Sequence, residues 1–363
     1  MNAVLIREGK SRGAYKNVGD FTQSIAQRQF WSHIDTVVDM EEMDEVKSEV
    51  PINVIMNGWF MWYPEKFPPA PCINPLFVSF HLAPSMEERF FTDETIEYLK
   101  KHEPIGTRDT TTQRLMEKHG INSYFSGCLT LTLDKTYLQE QHGEDIYIVD
   151  PLVNYFYEGS KLSKAFSLLS HFLYGIVHYG KMNKLSKRFY HQDGLSFLRF
   201  SKKLQDLVET TAFYRGYSKG FSDEILLNAH YISQIVDNYV SVDEKFRMAD
   251  ERLRKYAKAK LVITRRIHAA LPCLSIKTPV ILTINDDIID DKPQIASDGG
   301  RFGGNLELFN YKKFSKRGIK SEGCADYITL DNIPDNPDRY LHYRGLLYEK
   351  VEDFVKGCEQ RKH

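Results

Sequence analysis

Two arginines and a histidine, in the run Arg265-Arg266-Ile267-His268, have the types and spacing that best suit chemistry on an anion. They follow an apolar run, Leu261–Thr264, that predicts a strand, and they precede a predicted helix of about residues 267–275 and a second strand at 280–283. Strand, helix and strand at this spacing predict a compact βαβ unit with a parallel strand pair. The polar run then lies where open α/β sheets bind ligands and where free helix N–H groups attract anions.

A phosphate or a carboxylate is the ligand that these side chains suit, since each guanidinium forms paired hydrogen bonds to such groups. The alternative is that one arginine pairs with a surface acid while the histidine only starts the helix. The segment taken alone leaves both interpretations open.

Bulk composition predicts a soluble globular protein of about two domains. The chain has 363 residues, 42% hydrophobic and 27% charged, with a formal net charge of −1, so nothing indicates a nucleic-acid partner. The apolar run in the first ten residues is too short for a secretory signal, and no stretch of about 18 uncharged apolar residues predicts a membrane span. Five scattered cysteines without a CxxC pair argue against disulfides and zinc, and favour packing as small apolar residues in a reducing cytoplasm. The acidic stretch 285–291 matches no calcium loop, so we expect a solvated surface loop and neither a metal nor a cofactor.

Strands and helices alternate along the first half, which predicts a mostly parallel, doubly wound α/β domain over residues 1–142. The predicted strands are 3–7, 52–56, 76–80, 104–107 and, from alternating apolar residues, 122–133. The predicted helices are 21–31, 92–101 and 110–119. Asp20 is the expected N-cap of the first of these helices.

The run at 146–150 predicts the first strand of a second α/β domain, residues 143–340. Residues 155–215 read as a helical insertion within it and residues 244–258 as a helix. We divide off 341–363 as a C-terminal helical segment, and expect the last helix, about residues 338–359, to pack back across the domain junction. The fold class we expect is therefore α/β, with two Rossmann-like doubly wound domains facing across a cleft and a helical insertion in the second.

Within the insertion, Leu162, Phe166, Leu169, Leu173 and Ile176 fall on one helical face. Nine lysines and arginines and a single acid, Asp193, lie between residues 161 and 203. Such a basic amphipathic stretch can rest on an anionic membrane surface or guide an anionic substrate. We favour a third interpretation, in which the insertion packs on its domain and presents a solvated basic face.

Several segments together resemble the polysaccharide pyruvyl transferase family. They are NVGDFTQSIAQRQF (17–30), VIMNGWFMWYP (54–64), PLFVSFH (75–81), GTRDTTTQRLMEKHGINSYFSGCLTLTL (106–133) and AKLVITRRIHAALPCLSIKTPVIL (259–282). The resemblance implies a fold similar to that of GT-B glycosyltransferases. It also implies transfer of an enolpyruvyl-derived unit from phosphoenolpyruvate to sugar hydroxyls, giving a pyruvate ketal on a cell-surface glycan or its lipid-linked precursor.

Carried over by position, the family's Arg-aliphatic-His triplet matches Arg266, Ile267 and His268, which then grip the phosphate and carboxylate of the donor. Arg108, in GTRD, matches a second arginine that we assign to donor binding. The sequence departs from the family pattern at Lys277, where a glycine commonly precedes Thr-Pro-Val. His268 is our candidate acid/base catalyst or phosphate ligand, because a histidine titrates near neutral pH.

The remaining candidates are contacts to the acceptor sugar, and each has a plainer structural interpretation. Asp20 could be a base or only a helix cap, and Asn17 fits a turn before it fits a ligand. Trp59 could stack on a sugar or join Phe60, Trp62 and Tyr63 in a domain interface. The full set of candidates is Asp20, Asn17, Asn57, Trp59, His81 and His230.

Two other functions remain open. One is a sugar-nucleotide glycosyltransferase on the same GT-B-like scaffold, although no acid stands beside the Arg-Ile-His run to hold a ribose. The other is a non-catalytic glycan-binding relative. The partners we expect are phosphoenolpyruvate and a glycan or lipid-linked acceptor, with a cytoplasmic location and peripheral contact with the inner membrane surface as an open addition.

Overall fold

A computed structural model describes residues 1–8, 16–60, 63–152, 161–188, 202–236, 240–285, 302–315 and 318–360. The chain is a mixed α/β protein built around parallel sheets, consistent with a Rossmann-like fold. The strands are β1 (Asn2–Ile6), β2 (Lys16–Asn17), β3 (Thr36–Asp39), β4 (Ile52–Ile55), β5 (Gly58–Trp59), β6 (Ile73–Leu76), β7 (Phe80–His81), β8 (Ile105–Thr107), β9 (Ser123–Phe125), β10 (Ile146–Val149), β11 (His230–Ile232), β12 (Ile235–Val236), β13 (Leu261–Thr264), β14 (Val280–Asn285), β15 (Asn310–Ser315) and β16 (Gly318–Glu322). The helices are α1 (Val18–Arg28), α2 (Glu87–Phe90), α3 (Asp93–Lys101), α4 (Thr110–Lys118), α5 (Asp134–Tyr137), α6 (Lys161–Val177), α7 (Tyr179–Ser186), α8 (Lys202–Tyr217), α9 (Asp223–Asn228), α10 (Val242–Ala257), α11 (Ile267–Ser275) and α12 (Tyr340–Gln360).

The βαβ unit around the Arg-Ile-His run is confirmed. β13 and β14 are parallel neighbours, with Val262 opposite Val280, and α11 connects them. They belong to a six-stranded sheet of order β11-β10-β13-β14-β15-β16, in which only the last pair is antiparallel. The strands at the centre of this sheet are fully buried, as expected where helices cover both faces.

The first half contains two four-stranded parallel sheets, of order β3-β1-β4-β6 and β5-β7-β8-β9. The predicted single strand at 76–80 is therefore wrong, because the chain breaks between β6 and β7 and changes sheet there. Ser79 at this break has a φ of 56°, a left-handed conformation that no regular strand accommodates. A continuous apolar run concealed the break, since both of its parts are buried.

Two further expectations need correction. The first helix begins at Val18, not at residue 21, and its N-cap is Asn17, whose side-chain oxygen accepts from Gly19 N at 2.9 Å. Asp20 is therefore in the first turn and does not cap the helix. The alternating residues 122–133 form a strand only at Ser123–Phe125, and Leu129–Thr132 is a 3₁₀ turn that buries all four of its side chains.

One hydrophobic cluster spans the two halves, beside a separate cluster in each half. Helix α1 packs against α10, where Phe21 and Phe246 meet edge to face with ring centroids 5.0 Å apart. Helix α12 returns across the junction as expected, and Tyr348 donates a hydrogen bond to the Thr132 carbonyl at 3.1 Å. Packing of this kind fixes α1 relative to α11, the two helices whose N-terminal ends carry the candidate residues.

The helical insertion forms α6, α7 and α8 within the described residues. Its periodicity is as predicted. Within the described residues the insertion packs on its domain and exposes Lys184, Lys187 and Arg188, as we favoured, but it exposes an apolar face as well. The apolar side chains of α6 that we placed on one face point into solvent. The reason is that α8 packs on the central sheet and contacts the opposite side of α6.

None of the five cysteines forms a disulfide, and three of them, Cys128, Cys273 and Cys358, are buried. No helix among the described residues is long and apolar enough to cross a bilayer. Residues Trp62 and Asp193, and the acidic stretch after Asn285, lie outside the described residues.

Candidate active site

The Arg-Ile-His run lies at the carboxyl end of β13 and opens α11. Thr264, the last residue of β13, donates to Val149 O at 3.1 Å and accepts from Arg266 N at 2.9 Å, which turns the chain into the helix. His268 is then in the first turn of α11, and its side chain is buried. This end of the parallel sheet is the edge at which α/β folds bind ligands.

Asp150 orients the Arg266 side chain. The residue follows β10, is fully buried and has a φ of 44°, a left-handed conformation that aspartate tolerates better than most residues. Its Oδ2 accepts from Arg266 Nε at 2.7 Å and from Gln234 N at 3.0 Å, and its backbone oxygen accepts from Arg265 Nε at 3.0 Å. Arg265 thus supports Asp150, while Arg266 faces the cleft.

Arg108 is the charged side chain of the site that has the fewest neutralising contacts. The residue follows β8, is only 3% exposed, and its Nη1 lies 3.3 Å from both Gln23 Oε1 and His268 Nε2. Within the described ranges no carboxylate lies within 4.0 Å of its guanidinium, and its buried Nε has no hydrogen-bond partner. A buried guanidinium without an acid is costly, and an anionic ligand would offset that cost.

The same contact defines the state of His268. A guanidinium can only donate, so a hydrogen bond from Arg108 requires a lone pair on His268 Nε2 and places the ring proton on Nδ1.

The N-terminal end of α1 forms the facing wall of the cleft. Gly19 lies against His268 so closely that an added Cβ would be 3.1 Å from the histidine Cβ. The Asp20 side chain is only 10% exposed and forms an ion pair with Arg7 at 3.3 Å. Burial raises the pKa of the Asp20 carboxyl, although Arg7, Arg108 and Arg266 each oppose the shift.

A buried histidine and aspartate complete the polar wall. His81, at the end of β7, contacts Asp109 Oδ2 through its Nδ1. The other carboxylate oxygen, Oδ1, accepts from Thr112 N at 2.8 Å, so Asp109 caps α4 and orients the imidazole at the same time. Any contact from His81 to a ligand must then be made through Nε2.

Trp59 borders this wall, with its ring 6.0 Å from the ring of His81 and 5.8 Å from the Arg7 guanidinium. The resulting cleft has an empty volume of about 420 Å³, part of it open to solvent. Its lining residues are Asn17, Asp20, Trp59, His81, Arg108, Gln234, Arg266, Ile267 and His268.

Two candidates lie elsewhere. Asn57 is buried beneath α1, where its Nδ2 donates to Gln23 O at 3.4 Å and its backbone oxygen accepts from Gln27. His230 begins β11 at the opposite edge of the sheet, is exposed, and lies 3.4 Å from Asp145. The alternative role of Trp59 and its neighbours in a domain interface does not hold for Phe60, which stacks on Phe80 in the core of the first half.

Sequence reasoning missed Asp150, Asp109, Gln23 and Gln234. Asp150 carried a usable signal, because it directly follows a strand adjacent to β13 and so must lie beside the Arg-Ile-His run. Asp109 also follows a strand, in the same segment as Arg108. Gln23 and Gln234 carried none, since Gln23 reaches Arg108 and Gln234 reaches His268 only through tertiary contacts between distant parts of the chain.

Among the described residues, no group of three histidine, cysteine, aspartate or glutamate side chains could hold a metal ion. In a comparison with protein families, a model described as polysaccharide pyruvyl transferase matches residues 17–287. No curated protein matches the chain. The matched segment contains all nine residues that line the cleft.

Proposed function

The chain belongs to the polysaccharide pyruvyl transferase family, and we propose that it transfers an enolpyruvyl-derived group from phosphoenolpyruvate to hydroxyls of a sugar. The acceptor in this proposal is a sugar of a cell-surface polysaccharide or of its lipid-linked precursor, which implies a polysaccharide partner, and the product is a pyruvate ketal. We further propose that the two halves correspond to the two domains of a GT-B-like arrangement and that the reaction takes place in the cytoplasm.

One observation carries this proposal: Arg108 is buried beside His268 without an acidic partner in the described part of the chain. Arg266 adds a second guanidinium, which is paired with Asp150, and Arg7 is paired with both Asp20 and Glu41. Arg108 is therefore the one of these three arginines that has no carboxylate within 4.0 Å among the described residues. A small donor with a phosphate and a carboxylate supplies the missing negative charge and fits the planar donor groups of arginine.

The reaction needs one proton delivered to carbon and two taken from hydroxyls. The methylene carbon of the donor takes a proton, a sugar hydroxyl attacks the central carbon, and the bond from that carbon to the phosphate oxygen breaks. A second hydroxyl then closes the ketal. The two hydroxyls release two protons in all. One of them makes up for the proton that the methylene carbon took to become a methyl group, and the other leaves with the phosphate.

Three buried groups can serve these proton transfers. We assign His268, together with Arg266 and Arg108, to binding of the donor phosphate. An incoming anion would accept the hydrogen bond that Arg108 gives to His268 in the free protein, and the imidazole could then act as an acid. Ile267 lines the cleft beside the donor. Asp20 has a raised pKa and would be driven further toward its neutral form by a nearby anion. A neutral carboxyl group can donate a proton.

His81 is our candidate base for the acceptor hydroxyl, because Asp109 stabilises the imidazolium that forms when Nε2 takes a proton. Trp59 offers an apolar face for a sugar ring, and Asn17 lies at the rim of the same cleft. We no longer assign Asn57 or His230 to the acceptor, since neither lines the cleft.

Ligand-dependent thermal stability tests the donor. Phosphoenolpyruvate should raise the melting temperature of the protein, whereas UDP and GDP should not, because a ligand stabilises only the state that binds it. Stabilisation by a nucleoside diphosphate alone would instead indicate a sugar-nucleotide glycosyltransferase. Failure of all three ligands would favour a glycan-binding protein without transferase activity.

Product analysis tests the transfer itself. Incubation with phosphoenolpyruvate and a panel of lipid-linked or aryl glycosides should release phosphate and increase the acceptor mass by that of the donor less phosphoric acid. His268→Ala should reduce turnover by about 10²–10⁴-fold, the usual contribution of an acid/base group. Arg254→Gln, which removes an exposed guanidinium paired with Asp250, is the matched surface control.

A further inference from the structure

Helix α6 exposes a continuous apolar face to solvent. Leu162 is 71% exposed, Phe166 66% and Val177 77%, and between them Leu169, Leu173 and Ile176 are each at least half exposed. No charged residue occurs from Ala165 to Gly180. An apolar stripe of this length is unusual on the surface of a protein that works without a partner there.

The outward orientation of this face is fixed by close packing on its other side. An added Cβ at Gly175 would be 2.8 Å from Thr211 Oγ1 and 3.2 Å from Leu207 Cγ, so α6 and α8 approach each other closely at this point. Arg215 of α8 donates to His171 Nδ1 at 3.2 Å. Burial lowers the pKa of His171 to about 4, so its ring is neutral and can accept this bond. Rotation of α6 to hide its apolar face would break both contacts.

Positive charge accompanies the apolar face. After α6 the chain turns into α7, where Lys184 is exposed and Lys181 is paired with Asp223. Lys187 and Arg188, directly after α7, are exposed as well. In the sequence, the segment from Lys161 to Arg188 contains no aspartate or glutamate at all. An anionic surface therefore complements both features of this region, the apolar stripe and its basic end.

We propose that the outward face of α6 binds the surface of an anionic lipid bilayer. The helix lies in the plane of the headgroups with its apolar side chains inserted, while the cations of α7 contact the lipid phosphates. A second copy of the chain is a poorer occupant, since an antiparallel pair of α6 helices would place each basic end beside basic residues of the other copy. The inference rests on the proposed function in one respect: a lipid-linked acceptor would lie in the membrane, so the enzyme would need to bind there.

Vesicle cosedimentation tests the surface without substrate. The wild-type chain should bind vesicles of phosphatidylcholine mixed with phosphatidylglycerol, bind phosphatidylcholine alone much more weakly, and be released by salt. Phe166→Ser with Leu173→Ser should weaken the binding by about tenfold or more, because two inserted side chains are lost. Val50→Ser with Leu138→Ser removes two exposed apolar side chains elsewhere and should change nothing.

Charge reversal tests the second feature. Lys184→Glu with Lys187→Glu should abolish the preference for anionic vesicles while leaving the melting temperature unchanged, since both side chains are exposed. Equal binding of all four proteins would overturn the proposal. So would an absence of vesicle binding combined with a concentration-dependent dimer that Phe166→Ser and Leu173→Ser dissociate. The rise in melting temperature with phosphoenolpyruvate is measured on the same samples. If this rise is present while vesicle binding is absent, the proposed surface fails and the proposed function does not.

Discussion

Replacement of Gly19 by alanine probes the contact between the two walls of the cleft. The new Cβ would be 2.9 Å from Gln234 Oε1, 3.0 Å from Asn17 Oδ1 and 3.1 Å from the Cβ of His268. The two oxygens are at the ends of side chains and can retreat by a few tenths of an ångström. The Cβ of His268 cannot, because the first turn of α11 fixes it.

The expected cost of Gly19→Ala follows from two opposing effects. Overpacking of a tight site costs about 1–3 kcal/mol, whereas alanine gains up to about 1 kcal/mol over glycine within a helix. We expect a net loss of about 1–2 kcal/mol in the free energy of unfolding. The displacement of His268 should also reduce kcat by about tenfold or more, because small errors in the position of a catalytic group are costly.

Urea unfolding and steady-state turnover measure the two effects. Gly345→Ala is the matched control, since Gly345 lies in α12 with no atom within 4 Å of the added Cβ. This control should be about 0.5–1 kcal/mol more stable than wild type, with unchanged turnover. The reasoning fails if Gly19→Ala behaves like Gly345→Ala, because the walls would then not be in contact.

Three further substitutions give independent expectations. Asp150→Asn should lower the free energy of unfolding, measured with urea, by about 2–3 kcal/mol, because Arg266 loses its buried partner. It should also raise the Kd for phosphoenolpyruvate. Unchanged values of both quantities would show that Asp150 does not orient Arg266. The pKa of Asp20 is already raised in the free protein, and a bound anion should raise it further, so donor binding should take up a proton and weaken as pH rises. Calorimetry across pH should show this proton uptake in wild type and not in Asp20→Asn. Identical pH profiles of the two proteins would contradict the expectation. Lys277→Gly should raise the free energy of unfolding, measured with urea, by about 1 kcal/mol, because Lys277 has a φ of 62° that glycine adopts without strain. A lower free energy of unfolding in this variant would refute the expectation.

The Arg-Ile-His unit was predictable because several local signals agree there. The apolar runs, their spacing and the polar break all require a strand, a turn and a helix, and parallel strands then place the polar residues at one edge of the sheet. The position of Lys277, where the family commonly has glycine, is also explained, since it follows the end of α11 in a left-handed conformation.

The sequence was less informative wherever tertiary packing decides the outcome. No local pattern distinguishes the strand break at Ser79 from a continuous buried strand. The apolar periodicity of α6 shows that one face exists but not which face α8 covers, and Gly175 settles that point only through its contact with Thr211. Likewise, the contact between Arg108 and His268 joins residues 160 positions apart.

Calorimetric titration with phosphoenolpyruvate tests the central claim most directly, because the claim is that the Arg108 guanidinium has no carboxylate within ion-pair distance until the donor binds. The wild-type chain should bind the donor, Arg108→Gln should bind it at least about tenfold more weakly, and Arg254→Gln should match wild type. Equal affinity of wild type and Arg108→Gln, or no binding by the wild-type chain, would contradict the account.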